Sequence, residues 1–505
     1  MARIEIPEIR LHAIPSLRHA GAPDLSVRAI SDDSREVDEA TLFLARQTQS
    51  APADRFVADA LGRGAPAVLG AGLAPAPAVI DVDRPEETLA DLVRGAHGWG
   101  QDLFSITAVT GTNGKTTVSH LIAGLAGMKG EPVGVIGTLG WGLWSPGARY
   151  EPAGNTTPGL IDNWRLIREM VAAGAREIVM EVSSHALAQG RVAGLPIRTG
   201  VFTNLGRDHF DYHGDRESYL AAKARLFTLP TLRRAVLNAG QDACRTLLET
   251  LRGREDAPRL LCYALDHGGP PEGCRPCLTG QRQTTQAGRL GLSVEHDSER
   301  GRIETRLVGR FNAENLLAAL AARLVVGESL EDLMDRAGRL SAPPGRMESF
   351  TLAGDRSVVV DYAHSPEALE GVLTGLREGL PEGACLGVVF GCGGDRDRGK
   401  RPAMGAIAER LADWVVLTSD NPRGEHPEAI IREIRAGMDR PETARTITGR
   451  RQAIRHAIER LAAGHAGDCL LVAGKGHETG QEIAGRIRPF DDRRIVRETI
   501  TEVTR

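Results

Sequence analysis

The sequence lacks most of what would direct a chain to a membrane, a nucleic acid or an oxidising compartment. It has no apolar run near the ~20 residues that cross a bilayer. Residues 1–15 alternate charged and apolar side chains without the apolar centre of a secretory signal, so we expect no export and a cytoplasmic location. With 62 Lys and Arg against 66 Asp and Glu, the net charge is −4. Such a balance gathers neither nucleic acid nor anionic lipid in bulk, and an anionic substrate must be held by local basic groups. Cysteine is scarce, with 7 scattered residues, an odd number. That argues against a disulfide framework and for a reducing compartment. Cys274 and Cys277 form a lone C-x-x-C in a Gly/Pro-rich stretch with no second ligand pair nearby in sequence, so the pair does not read as a zinc site. No repeat of the solenoid or propeller kind is present.

What is there fits a globular chain of several domains. At about 150 residues per domain, 505 residues make about three. Apolar residues at 41% and charged residues at 25% are ordinary for such a chain. The stretch to residue 97 mixes short strands and helices, with 40–45 and 67–69 as buried strands and 74–77 as a turn. From Ser105 onward strand-like runs (105–110, 132–136, 177–182, 200–205, 235–238) alternate with helical patterns (115–128, 159–173, 216–227). Such alternation predicts an α/β fold with a parallel sheet covered on both faces. Residues 255–304 are poorly patterned and are expected to form hairpins or loops, followed by an amphipathic helix at 312–326. A linker near Ser341-Ala-Pro-Pro-Gly345 precedes a second βα series, with strands at 357–362, 384–390, 414–418 and 469–473, which reads as a separate doubly wound domain. The expected boundaries are 1–98, 99–340 and 341–505.

One stretch carries chemistry on its face. Val109-Thr-Gly111-Thr112-Asn113-Gly114-Lys115-Thr116-Thr117 lies between a strand and a helix. Glycines let backbone N–H groups approach phosphate oxygens, and the helix N-terminus adds partial positive charge. Lys115 reaches the terminal phosphates and the Thr116 hydroxyl suits Mg²⁺. The general phosphate-loop pattern wants glycine where Val109 stands. A helix-capping turn alone would leave the Gly-Lys-Thr sequence unexplained.

The form Thr110-Gly-Thr-Asn-Gly-Lys-Thr-Thr117 resembles the phosphate loop of the Mur ligase family. Further stretches similar to that family follow in the family's order: Asn155-Thr-Thr157, Glu181-Val-Ser-Ser-His185, Thr203-Asn-Leu-Gly-Arg-Asp-His209, Ala222-Lys223, Phe311-Asn-Ala-Glu-Asn315, Pro344-Gly-Arg346, Asp361-Tyr-Ala-His364, Gly391-Cys-Gly-Gly-Asp-Arg396, Asp420-Asn-Pro-Arg423 and Gly474-Lys-Gly-His-Glu478. Any one motif is weak; the ordered set, with Asp33-Ser34-Arg35 near the start, covers nearly the whole chain.

The resemblance implies three domains: an N-terminal one for a UDP-sugar, a central ATPase and a C-terminal Rossmann-like one for an incoming amino acid. It implies an ATP-dependent ligase of peptidoglycan precursor synthesis. A substrate carboxylate takes the γ-phosphate as an acyl phosphate, and an amine then displaces phosphate. The implied catalytic residues are Lys115, Glu181, His209 and Lys223. ATP would lie on Gly111, Thr112, Asn113, Gly114, Lys115, Thr116 and Thr117, with Asn312, Arg346 and Asp361 at adenine and ribose, and His364 close by. Two Mg²⁺ ions would be held by Thr116, Glu181, His209 and Lys223, His209 at the second and the lysine as an N6-carboxylysine. A plain ammonium there would repel the cation, whereas a desolvated neutral amine can take up CO₂. Taken singly, Lys223 reads as a solvated helix lysine, His209 as a structural histidine, Asn312 as a helix cap and Arg346 as a linker charge.

The implied contacts to the UDP-muramoyl-dipeptide are Asn155, Thr156, Thr157, Ser183, Gln189 and Arg191, whose hydroxyls and guanidinium suit carboxylate and diphosphate oxygens. At the uridine end only Ser34 is carried over. The family's Gly-rich stretch with Asp-Gly before an aromatic is replaced here by residues 45–56, ending in Phe56. For the amino acid, Arg396, Asp420, Asn421, Pro422, Arg423, Gly474 and Glu478 imply meso-diaminopimelate. It differs from L-lysine by one carboxylate, which a guanidinium binds bidentately. Lysine would leave Arg423 unpartnered in a closed site. Other family members and folylpolyglutamate synthetase share the loop but should lack this arrangement. A P-loop regulatory or transport ATPase would hydrolyse ATP without an amino acid, and a non-catalytic nucleotide-binding module would have no chemical need for Lys115, Glu181, His209 and Lys223 together. The expected partners are small molecules only, and the expected state is a monomer.

Overall fold

Short apolar runs bounded by turn residues become the inner strands of parallel sheets, because a strand buried on both faces shows no polar alternation. The structure is a computed structural model that describes residues 3–46, 52–206, 208–266, 273–274, 276–283 and 290–504. The chain forms two units: Met1–Tyr263 with Pro270–Cys277 and Ala318–Glu328, and Ala264–Gly269 with Leu278–Leu317 and Ser329–Arg505.

The first unit opens with a five-stranded sheet of β1 (Arg3–Arg10), β2 (Ser26–Ser31), β3 (Thr41–Leu44), β4 (Ala67–Gly70) and β5 (Val79–Asp81), in sequence order. Only the β1–β2 pairing is antiparallel. The expected strands at 40–45 and 67–69 are β3 and β4, and every residue in them is buried. The helix Pro85–Ala96 starts with proline at its first turn, where no N–H partner is needed, and packs on β1.

The rest of the first unit carries β6 (Ser105–Thr110), β7 (Val133–Gly137), β8 (Gly140–Leu143), β9 (Glu177–Glu181), β10 (Ile197–Phe202), β11 (Arg234–Asn238) and, as far as Tyr263, β12 (Arg259–Leu265). They lie in the order β8-β7-β9-β6-β10-β11-β12. All described pairings are parallel except β7–β8. The chain runs from β6 outward to one side, then returns across it to β10. β6 is therefore the topological switch point, where the carboxyl ends of adjacent strands leave a crevice for a ligand.

In the second unit, the poorly patterned stretch contributes an antiparallel meander of β13 (Cys277–Gln283), β14 (Leu290–His296) and β15 (Glu299–Thr305). This agrees with the hairpins expected there. A six-stranded sheet follows: β16 (Glu348–Leu352), β17 (Arg356–Asp361), β18 (Leu386–Phe390), β19 (Trp414–Leu417), β20 (Arg445–Thr446) and β21 (Cys469–Ala473). Its order is β16-β17-β21-β18-β19-β20, parallel except for β16–β17. Apolar clusters cover its two faces. A hairpin of β22 (Gly480–Ile483) and β23 (Arg486–Pro489) closes the set, and the sequence pattern shows no sign of it.

Candidate functional site

The phosphate loop leaves β6 and turns into the helix Lys115–Gly127. Gly114 caps that helix at φ 82, a conformation that costs other residues but not glycine. At Gly111 a Cβ would lie 1.9 Å from Thr203 Oγ1, so only glycine lets the loop pass the end of β10. That neighbouring segment clasps the loop: Asn113 N–H donates to Asn204 Oδ1 at 2.9 Å, and Thr203 Oγ1 donates to Asn113 O at 2.6 Å. Thr112 Oγ1 accepts from Gly206 N–H at 2.8 Å. Thr117 is buried in the first turn of the helix.

Lys115 folds back on the loop, its Nζ donating to Gly111 O at 2.9 Å and Thr112 O at 2.8 Å. Lys223, from the helix Arg216–Ala224, donates to the same Gly111 carbonyl at 2.9 Å. It is buried, with Nζ 4.2 Å from the centre of the Tyr219 ring. Burial, reinforced by the Lys115 ammonium, holds its amine well below the usual lysine range. Burial likewise pushes the Tyr219 phenol up to about 12.

Glu181 ends β9 beside the loop and is 2% exposed. Thr116 Oγ1 donates to its Oε2 at 2.8 Å, and Thr138 N–H to its Oε1 at 2.8 Å. Thr138 Oγ1 donates to Oε2 at 3.1 Å. A buried carboxylate ringed by hydroxyls and an amide is a hard oxygen donor set, which suits Mg²⁺. His209 is placed apart from this group. It is half exposed, sits at φ 55, has its Nε2 3.3 Å from Asp208 Oδ2, and its ring is 4.7 Å from His185 and 6.3 Å from Tyr219. Arg207, quoted in the same motif, lies outside the described residues.

The residues expected at the muramoyl-peptide come together around Thr157. Its Oγ1 donates to Glu181 O at 2.9 Å and accepts from Ser183 N–H at 3.0 Å. Arg191 Nη1 donates to Thr157 O at 2.9 Å, and its Nη2 to Gln189 Oε1 at 2.6 Å. Thr156 Oγ1 lies 3.1 Å from Thr138 Oγ1, and Asn155 is exposed. Ser34 is buried and bonded to Asp59. Of the replaced uridine-side stretch, residues 47–51 lie outside the described residues, while Arg46 donates to Gln189 O at 2.9 Å and Gly190 O at 3.0 Å.

In the second unit, Asn312 sits inside the helix Arg310–Leu324 rather than capping it, its Nδ2 donating to Val308 O at 3.0 Å. Arg346 lies 4.6 Å over the Tyr362 ring and its buried Nε has no partner among the described residues. That orphaned donor fits a polar ligand group. Asp361 ends β17 and accepts from Met347 and Ala363 N–H, both at 2.8 Å; burial nevertheless raises its pKa. The exposed His364 bonds back to Tyr362 O at 2.8 Å through Nδ1.

The segments after β18, β19 and β21 converge at the carboxyl end of this sheet. Lys475 is fully buried and its Nζ donates to Glu478 Oε2 at 2.7 Å and Asn421 Oδ1 at 2.9 Å. Asn421 Nδ2 donates to the same Glu478 oxygen at 2.9 Å. Arg423 is held at φ 50 by the β22 strand: its N–H donates to Glu482 O at 3.1 Å, and its O accepts from Ala484 N–H at 2.7 Å. Its side chain donates through Nε to Glu482 Oε2 at 3.1 Å and through Nη1 to Gly394 O at 2.8 Å. A Cβ at Gly393 would lie 2.9 Å from Arg423 Nη1 and 3.9 Å from Arg396 Cγ, which puts the two arginines in one neighbourhood. A Cβ at Gly474 would lie 2.5 Å from Asp420 Oδ2, and Pro422 O accepts from Glu425 N–H at 2.9 Å.

Sequence reasoning missed Thr138, Lys475 and Glu482. Lys475 stood inside a quoted motif and Thr138 at the end of a strand, so both had a signal. Glu482 had none, because its role depends on the hairpin.

Residues 109–323 match the Mur ligase middle domain, and residues 345–476 the Mur ligase, glutamate ligase domain. The chain is 43% identical over 479 residues to the UDP-N-acetylmuramoyl-L-alanyl-D-glutamate–2,6-diaminopimelate ligase of Pseudomonas aeruginosa, covering 93% of this chain and 94% of that one. It is 41% identical over 484 residues to the ligase of that name from Pseudomonas putida, covering 94% and 95%. A solved structure of a ligase of that name superposes with a TM-score of 0.72 at 36% identity, covering 94% of this chain and 95% of that one.

Proposed function

The chain belongs to the Mur ligase family, and from that premise we propose how its residues carry out the family reaction. It is an ATP-dependent ligase of peptidoglycan precursor synthesis that joins meso-2,6-diaminopimelate to the D-Glu γ-carboxylate of UDP-N-acetylmuramoyl-L-Ala-D-Glu, releasing ADP and phosphate. Its substrates are small molecules, and among the described residues no helix is long and apolar enough to cross a membrane. We assign residues 1–98 to the UDP end, 99–340 to ATP and 341–505 to the amino acid, and place the chain in the cytoplasm as a monomer.

The loop Gly111–Thr117 presents its N–H groups to the ATP phosphates, and Lys115 swings from its carbonyls onto the terminal phosphates. Around Thr157, the Ser183, Gln189 and Arg191 side chains hold the muramoyl-peptide so that its carboxylate faces the γ-phosphorus. That carboxylate attacks, ADP leaves, and the acyl phosphate forms. The amine of diaminopimelate then attacks the acyl carbon, loses a proton, and phosphate departs. Thr116, Glu181 and the N6-carboxylated Lys223 would hold Mg²⁺, and His209, which stands apart from them, a second ion; bound Mg²⁺ neutralises charge between the two anions. The depressed Lys223 amine supports that modification, since only the neutral amine adds CO₂.

The observation that carries the amino-acid assignment is the geometry at Arg423. Glu482 and Gly394 O occupy Nε and Nη1, leaving Nη2 without a partner among the described residues for a distal carboxylate. Both bonds to Glu478 fall on Oε2, so Oε1 is left for the distal ammonium. The test is phosphate release from ATP with the UDP-dipeptide and meso-diaminopimelate, L-lysine or no amino acid. Turnover with diaminopimelate alone is expected. Turnover with lysine would sink the Arg423 assignment, and hydrolysis indifferent to all three would sink the ligase.

A further inference from the structure

Three cysteines distant in sequence meet in the first unit, away from any role in the reaction above. Cys244 lies in the first turn of the helix Ala243–Arg252, Cys262 in the middle of β12, and Cys274 in the segment leading to β13. Their Sγ atoms all lie within 4.8 Å of one another, and Cys244 and Cys274 are 3.8 Å apart. All three are buried, none more than 3% exposed. Among the described residues no other group of three or more His, Cys, Asp or Glu side chains converges in this way. The C-x-x-C pair showed no second ligand pair in sequence, and the fold brings two further sulfurs to Cys274.

The spacing fits a metal. A tetrahedral ion with bonds of about 2.3 Å to sulfur places its ligands about 3.8 Å apart, the separation of Cys244 and Cys274. Charge is met. Three thiolates around a divalent ion carry a net −1, and the Arg252 guanidinium lies alongside: a Cβ at Gly273 would be 2.7 Å from its Nη2.

We propose that Cys244, Cys262 and Cys274 form a three-thiolate site for a thiophilic divalent ion of the zinc class. It would tie the helix Ala243–Arg252 and the segment at Cys274 to β12. On binding, three S–H protons pass to solvent as three metal–sulfur bonds form, and a water completes the tetrahedron. Thiolate ligands separate this site from the hard oxygen donors at Glu181, which select magnesium.

The full chain, reduced and stripped with chelator, is titrated with Zn²⁺ and separately with Co²⁺. Expected are one tightly retained zinc per chain, a thiolate-to-cobalt charge-transfer band, and a thermal midpoint raised by zinc. Cys262→Ser and Cys274→Ser should each abolish the band while retaining ligase turnover, which checks folding. Cys385→Ser should keep the band. Absence of the band in the wild-type chain, or its persistence in Cys274→Ser, would overturn the site. So would air oxidation of the metal-free chain to a Cys244–Cys274 disulfide with no zinc uptake by the reduced form.

Discussion

Around the phosphate loop, Lys223 is buried against a neutral carbonyl and a tyrosine ring, and it shares that carbonyl with Lys115. At the carboxyl end of the second unit's sheet, charge is already matched. Lys475 meets Glu478, Arg423 meets Glu482, and the fully buried Arg450 meets Asp492 at 2.6 Å. The first arrangement gathers positive charge that an anionic ligand, or carboxylation of the lysine, would relieve. The second has its charges paired among its own side chains and leaves few donors and acceptors open. The two clusters therefore have different electrostatics, although each lies at the carboxyl ends of parallel strands.

Lys115→Ala is the largest expected break. It should lower kcat by about 10³-fold, whichever amino acid is supplied, because a positioned cation on the transferred phosphoryl group acts in the transition state. Phosphate release would measure it, and a loss confined to one amino acid would erase the contrast between the regions. Next is Arg423→Ala, for which kcat/KM with meso-diaminopimelate should fall about 100-fold, with little change for L-lysine. Equal losses on both would mean that Arg423 supports the fold rather than reads the carboxylate.

Glu482→Gln should have a smaller effect, raising the KM for diaminopimelate about 10-fold and leaving that for ATP alone, since it loosens Arg423 without removing it. A shift in the ATP value would place Glu482 outside the amino-acid region. The smallest effect concerns pH. The folded pKa of Lys223 lies well below the ordinary 10.5, so between those two values the unfolded chain binds the extra proton. Stability linked to this residue should therefore rise with pH across that window. In CO₂-free buffer, the wild-type chain should gain denaturant stability relative to Lys223→Met as pH rises. A flat difference would mean the lysine is not desolvated.

Much of this was open to inspection in the sequence. Strands β6, β9, β11 and β17 to β19 are apolar runs with clear boundaries, because parallel strands bury both faces. The phosphate loop is contiguous, so its function can be read from neighbours in the chain. The β22–β23 hairpin was not legible. Both strands are short, β23 is exposed throughout and β22 buries only Gln481, so there is no apolar period to detect. Taken singly, Asn312 reads as a cap because asparagine favours that position, yet it lies inside the helix with its side chain on the Val308 carbonyl one turn back.

What the sequence determined by itself is therefore what depends on local order: the α/β class, the Gly-rich loop between a strand and a helix, and the ordered motifs that mark the family. Only the tertiary structure decided the pairings. Lys223 lies 112 residues from the Gly111 carbonyl it bonds, Glu482 is 59 residues from Arg423, and Cys244 is 30 residues from Cys274. Hydrogen bonds and sulfur contacts act over a few ångströms, and which distant side chains come that close is set by how the strands order themselves in a sheet.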